Sequence, residues 1–184
     1  MSWFSEWREG REHQRKADAF VRRLLREPET AEAEWLARAA TRGDVDHARW
    51  ELRYARRALG LIAAERDALD DRTASLVARS LSDELLRDPN IAGGMRETAE
   101  RQFNARLSAY RDGLDARGGA ATDVRMGQTL FAFAGAALAG DSADIHKAGV
   151  LLSAYLQEAN AALRESFGKV SLPEDVPPSA LIPG

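Results

Sequence analysis

The sequence predicts an all-α protein: a single-domain bundle of six or seven helices over residues 1–168, followed by an extended, proline-rich tail over residues 169–184. Three observations carry this. Between Asp44 and Arg87, residues Leu52, Ala55, Leu59, Ile62, Arg66, Leu69, Thr73 and Leu76 fall alternately three and four apart, which sets them on one face of a helix. Glycine and proline clusters divide the rest of the chain into further segments of helical length. Finally, 184 residues that are 45% apolar and 30% charged suffice for one core.

Residues 3–26 read as the first helix. Trp3 and Trp7 lie one turn apart, and Ala17, Phe20, Val21, Leu24 and Leu25 continue at helical spacing. Gly10 weakens the middle, so the first residues read as a separable aromatic arm. Pro28 or Thr30 opens a short helix that places Trp35, Leu36 and Ala39 inward, and Gly43 closes it. Asp44 caps the long segment. Unbroken to Arg87, that helix would be about 66 Å long. A compact chain of this size is only about 40 Å across. A break at Asp70-Asp71 is therefore expected, where the apolar stripe also rotates toward Val77, Leu81 and Leu85.

Asp88-Pro89-Asn90 and Gly93-Gly94 form a loop. A helix from Met95 to about Arg117 carries Ala99, Phe103, Leu107, Tyr110 and Leu114 on one face. Thr122 or Asp123 caps the next, which reads to Ala139, is apolar on all sides in its second half, and is expected at the centre of the bundle. The last helix, 142–167, shows a stripe through Ile145, Ala148, Leu152, Leu156, Ala159 and Leu163 and is expected antiparallel to it. Four prolines keep the tail extended, while Ala180-Leu181-Ile182 gives it an apolar end that could dock.

The chain has no cysteine, which excludes disulfides, thiolate metal sites and cysteine nucleophiles. A net charge of −3 argues against general attraction to nucleic acid or membranes. No apolar run has signal-peptide length at the N-terminus, and the longest, Leu130–Ala139, is about half a bilayer span. A cytoplasmic protein is expected, with a composition rich in Arg and Ala that suits a bacterial source. Residues 1–27 hold seven basic and five acidic side chains, so contact of residues 1–25 with a membrane surface is disfavoured.

Few constellations suggest chemistry. Asp44, His47 and Glu51 share a helical face and are the nearest approach to a metal site, although Asp44 is better explained as a cap. His13 facing a Gly/Ala-rich helix would suit a haem pocket. Arg49, Arg53, Arg56 and Arg57, beside Trp50 and Tyr54, form a basic stripe that reads first as a solvated or subunit-pairing face and only second as a phosphate-binding one. Nucleophile elbows, phosphate loops and zinc-protease motifs are all absent, and no cofactor is implied. The expectation is a non-enzymatic scaffold or protein-interaction protein that self-associates, with Trp3, Trp7, Trp50, Arg53 and Arg57 as contact residues, because aromatics and arginine are enriched at interfaces. The alternative is a ligand-, haem- or metal-binding bundle.

Overall fold

Helices form where the three-and-four spacing runs, and most end near a glycine or proline, the α3–α4 junction excepted. A computed structural model describes residues 3–67, 71–136 and 142–168, with the side chains of the first helix described from Trp7 onward. Among the described residues there are seven α-helices and no strand: α1 Trp3–Leu24, α2 Thr30–Ala39, α3 Val45–Asp67, α4 Asp71–Arg87, α5 Arg96–Asp115, α6 Thr122–Phe133 and α7 Ser142–Phe167. The protein is an all-α single domain. The long segment is divided between α3 and α4, as the size argument requires. Leu69 and Asp70, at the join, lie outside the described residues, as do the Trp3 side chain, Ala137 to Asp141 and the tail with its Leu181.

Local chemistry sets the boundaries. α1 runs through Gly10 without a break, so no separate arm forms. α2 is capped one residue earlier than Thr30, at Glu29, whose backbone N–H donates to Glu32 Oε2 at 3.1 Å. Asp44 caps α3 by accepting the His47 N–H at 2.9 Å. α6 stops at Phe133, six residues short of expectation. Gly135 takes a φ of +81°, and the Ala136 N–H closes back on the Phe131 carbonyl at 3.0 Å. Gly135, inside the segment that reads as one helix to Ala139, is the left-handed helix stop. Arg125 ties down the turn before α6, its Nε donating to the Gly113 carbonyl at 2.9 Å and its Nη2 to that of Ala116 at 2.9 Å.

The centre of the bundle is α3, not the 123–139 segment. From Glu51 to Ala64 every residue except Arg53 is buried, and α3 packs against each of the other six helices. α6 keeps an exposed edge at Gln128 and Ala132. α7 does pack along α6, with Gly149 against Asp123 and Gly127 against Ile145. The core gathers Phe20, Leu36, Leu52, Leu59, Ile62, Val77, Leu130 and Leu152, each almost fully enclosed. α1 joins through polar contacts to α4, where the Ser80 hydroxyl donates to Asp18 Oδ1 at 2.8 Å and Gln14 Nε2 donates to both. No described helix is long and apolar enough to cross a membrane.

Candidate functional site

A helix buried on every side has nowhere to put its charged residues except inside, and α3 carries three of them there. Glu51 is 3% exposed and faces Arg106 of α5, itself 8% exposed. Arg106 Nε donates to Glu51 Oε2 at 2.7 Å, Nη2 donates to Oε1, and Nη1 donates to the Gln102 carbonyl at 2.9 Å. Its guanidinium lies 4.9 Å from the Tyr54 ring centre and 4.5 Å from that of Phe133. Every nitrogen has an acceptor and two rings lie against the guanidinium, which is the condition for a buried ion pair to persist. His47 completes the row, with Nε2 3.4 Å from Glu51 Oε1 and about two-fifths of its side chain open to solvent.

Beside this pair opens a cleft of about 490 Å³. α3 supplies Trp50 and Tyr54, the loop after α4 supplies Ile91 and Met95, and α5 supplies Ala99 and Gln102, with Glu51 and Arg106 at the floor. Trp50 and Tyr54 lie ring to ring, centroids 5.7 Å apart. Burial pushes the Tyr54 phenol above its usual pKa, against the opposing pull of Arg106 and Arg57, so it presents a neutral hydroxyl. Met95, at the rim, is 53% exposed. The loop is held by Asp88, whose Oδ1 accepts from Asn90 N and Nδ2 at 3.0 Å each. Chemically the cleft can grip an apolar group and hydrogen-bond a polar one. Its one carboxylate, Glu51, has both oxygens committed to Arg106.

The structure brings His47 and Glu51 together but not Asp44, whose Oδ1 serves the helix cap. Among the described residues no group of three or more His, Asp or Glu is placed to hold a metal ion. His13 contacts its own helix, Nδ1 lying 3.0 Å from the Glu9 carbonyl, and α1 packs on α3, α4 and α7 rather than facing α6 as a haem pocket would need. The basic stripe is not a solvated face. Arg53 pairs with Glu27 at 2.7 Å, Arg56 with Glu158 at 3.3 Å and Arg57 with Asp88 at 3.4 Å, and both Arg56 and Arg57 are buried. Trp50 lines the cleft and carries Arg53 over its ring at 4.9 Å. Trp7 is 48% exposed beneath Arg11. Trp35 is structural, donating from Nε1 to Asp144 Oδ1 at 3.0 Å.

Sequence reasoning misses Arg106. The signal is present: Ala99, Phe103, Arg106 and Tyr110 share the three-and-four spacing, so a charge stands on the apolar face of α5. No family model, no curated protein and no solved structure matches the chain.

Proposed function

We propose that the chain is a non-enzymatic interaction protein that self-associates or docks a protein partner through the α3–α5 cleft. One observation carries the reading: an open cleft of about 490 Å³ with an aromatic wall, a half-exposed methionine at its rim and a neutralised ion pair at its floor. Hot spots concentrate where an aromatic side chain meets a pocket from which water is excluded. A thioether at the edge adapts to the shape of what enters. Trp50 and Met95 are the contact residues in this reading. Arg53 and Arg57 hold the fold instead, because their charges are paired internally.

Sedimentation velocity tests it. The chain is expected to sediment as a dimer or larger assembly, and Met95→Glu is expected to weaken that assembly about tenfold or more by setting a charge on the rim. A strict monomer at every concentration overturns the self-association half. The volume supports a second reading, since small-molecule pockets span about 300–1,000 Å³. In that case native mass spectrometry of the purified chain should show a retained organic ligand that Trp50→Ala releases.

A further inference from the structure

Sulfur is scarce in this chain. It holds three methionines, Met1, Met95 and Met126, and no cysteine, so thioethers are its only soft, oxidisable sulfurs. Met1 lies outside the described residues, and the fold treats the other two in opposite ways. Met126, on α6, is 1% exposed within the core. Met95 is 53% exposed and lines the cleft between α3 and α5.

Local structure holds Met95 in that position. Its backbone N–H donates to the Ala92 carbonyl at 2.7 Å, closing a single 3-10 turn, Gly93–Met95, at the head of α5. The two glycines before it leave its approach open, since a Cβ on Gly93 or Gly94 would meet nothing within 4 Å. A small oxidant therefore reaches the thioether from solvent. Trp50, on the opposite wall, is half-buried, with Arg53 over its ring and Tyr54 beside it. The sulfur is thus both the softest and the most open group that the cleft offers to a peroxide.

We propose that Met95 is a site of reversible oxidation by peroxide, and that its sulfoxide closes the cleft to a second copy of the chain. The proposal rests on the self-association reading and adds a control to it. The sulfur lone pair attacks one peroxide oxygen, and the S–O bond forms as the O–O bond breaks. The departing hydroxide takes the proton of the transferred hydroxyl and leaves as water. Sulfur gives up two electrons and peroxide gains them. A flexible apolar group at the rim becomes a polar one. Docking would take that new oxygen out of water, and Arg106, the guanidinium in the cleft, already has every nitrogen donating elsewhere. An acceptor buried without a donor weakens association. A dithiol reverses the step through a sulfoxide reductase: it gives two electrons to the sulfoxide, becomes a disulfide, and the oxygen leaves as water. Assembly and oxidation then exclude each other, since a covered Met95 is shielded and an oxidised one no longer docks.

The test treats the whole chain with hydrogen peroxide. Tryptic peptides 88–96 and 126–147 hold one methionine each, so mass spectrometry reads the two oxygen additions separately. Met95 is expected to oxidise about tenfold faster than Met126, or more, because susceptibility follows exposure. In sedimentation velocity the oxidised chain should associate about tenfold more weakly. The two sulfoxide reductases, one for each epimer, should restore it in the presence of dithiothreitol. Met95→Leu keeps an apolar rim, so it should assemble as the unaltered chain does and ignore peroxide. Equal oxidation of the two methionines overturns the proposal, as does loss of assembly in peroxide-treated Met95→Leu. Unchanged assembly of a chain shown to be oxidised at Met95 overturns the proposal and leaves the self-association reading standing. A strict monomer before any peroxide overturns both.

Discussion

Helices α6 and α7 meet by having nothing between them, whereas α3 and α5 meet by putting long charged side chains between them. At the first contact, Gly149 backs onto the Asp123 carbonyl, and a Cβ on Gly127 would lie 3.2 Å from the Gly149 nitrogen and overlap the Ile145 carbonyl. At the second, Glu51 and Arg106 span the gap, with Tyr54 and Phe133 against the guanidinium. The difference shows in the empty space. Both the cleft and a smaller cavity of about 140 Å³, walled by Leu61, Leu81 and Phe103, run along α5 and α3. Two backbones in contact leave no volume, while a bridge of long side chains holds helices apart and leaves room on either side of it. The fold thus closes one helix pair and leaves open volume beside the other.

The comparison predicts where truncation costs most. Glu51→Ala leaves Arg106 buried without its counter-charge, and a loss of about 3–5 kcal/mol is expected. Adding Arg106→Met should restore much of it, because removing both charges also removes the desolvation they require. Urea denaturation of the two variants measures both effects. A single variant that loses less than about 1 kcal/mol would mean that water reaches the pair and screens it, and the contrast between the two contacts would collapse.

The glycine contact predicts the opposite sensitivity, to added rather than removed atoms. Gly127→Ala sets a methyl group into the backbone of α7, which cannot rotate away as a side chain can. A loss of about 2–3 kcal/mol is expected, read as a lower denaturation midpoint at unchanged slope. Gly149→Ala, which meets the Asp123 carbonyl, should behave alike. If either is neutral, the two helices are free to separate and the contact is not rigid.

Much of this architecture is legible before any coordinates. The stripe through Leu52, Ala55, Leu59 and Ile62 is buried as its spacing requires, and Asp44 caps α3. Helix length set against domain diameter places the division between α3 and α4. What is not legible depends on partners distant in sequence. Arg56 and Arg57 read as a polar face because polarity on a helix usually means water, yet Glu158 and Asp88 come from other elements to meet them. Gly135 and Gly127 are both glycines in the segment that reads as one helix to Ala139. Only the backbone tells the helix stop, at φ +81°, from the helix contact. The cleft is the least legible feature, since its walls come from α3, α5 and a loop whose mutual placement no local pattern encodes.

A third glycine separates the two kinds of contact most finely. Gly60 lies mid-helix in α3, and a Cβ there would overlap Leu24, but only at its Cγ and Cδ atoms. The obstacle is the far end of a side chain, which can change rotamer. Two terms then oppose each other. Replacing a mid-helix glycine with alanine favours the helix by about 1 kcal/mol. Displacing Leu24, which is 4% exposed, costs about 1–3 kcal/mol of packing. Gly60→Ala should therefore lose no more than about 1–2 kcal/mol, less than Gly127→Ala. Pairing it with Leu24→Val should recover part of that loss, since the smaller side chain leaves room for the methyl. Equal losses at Gly60 and Gly127 would show that α1 is as immovable against α3 as α7 is against α6, and the closure of one helix pair would extend to the whole bundle.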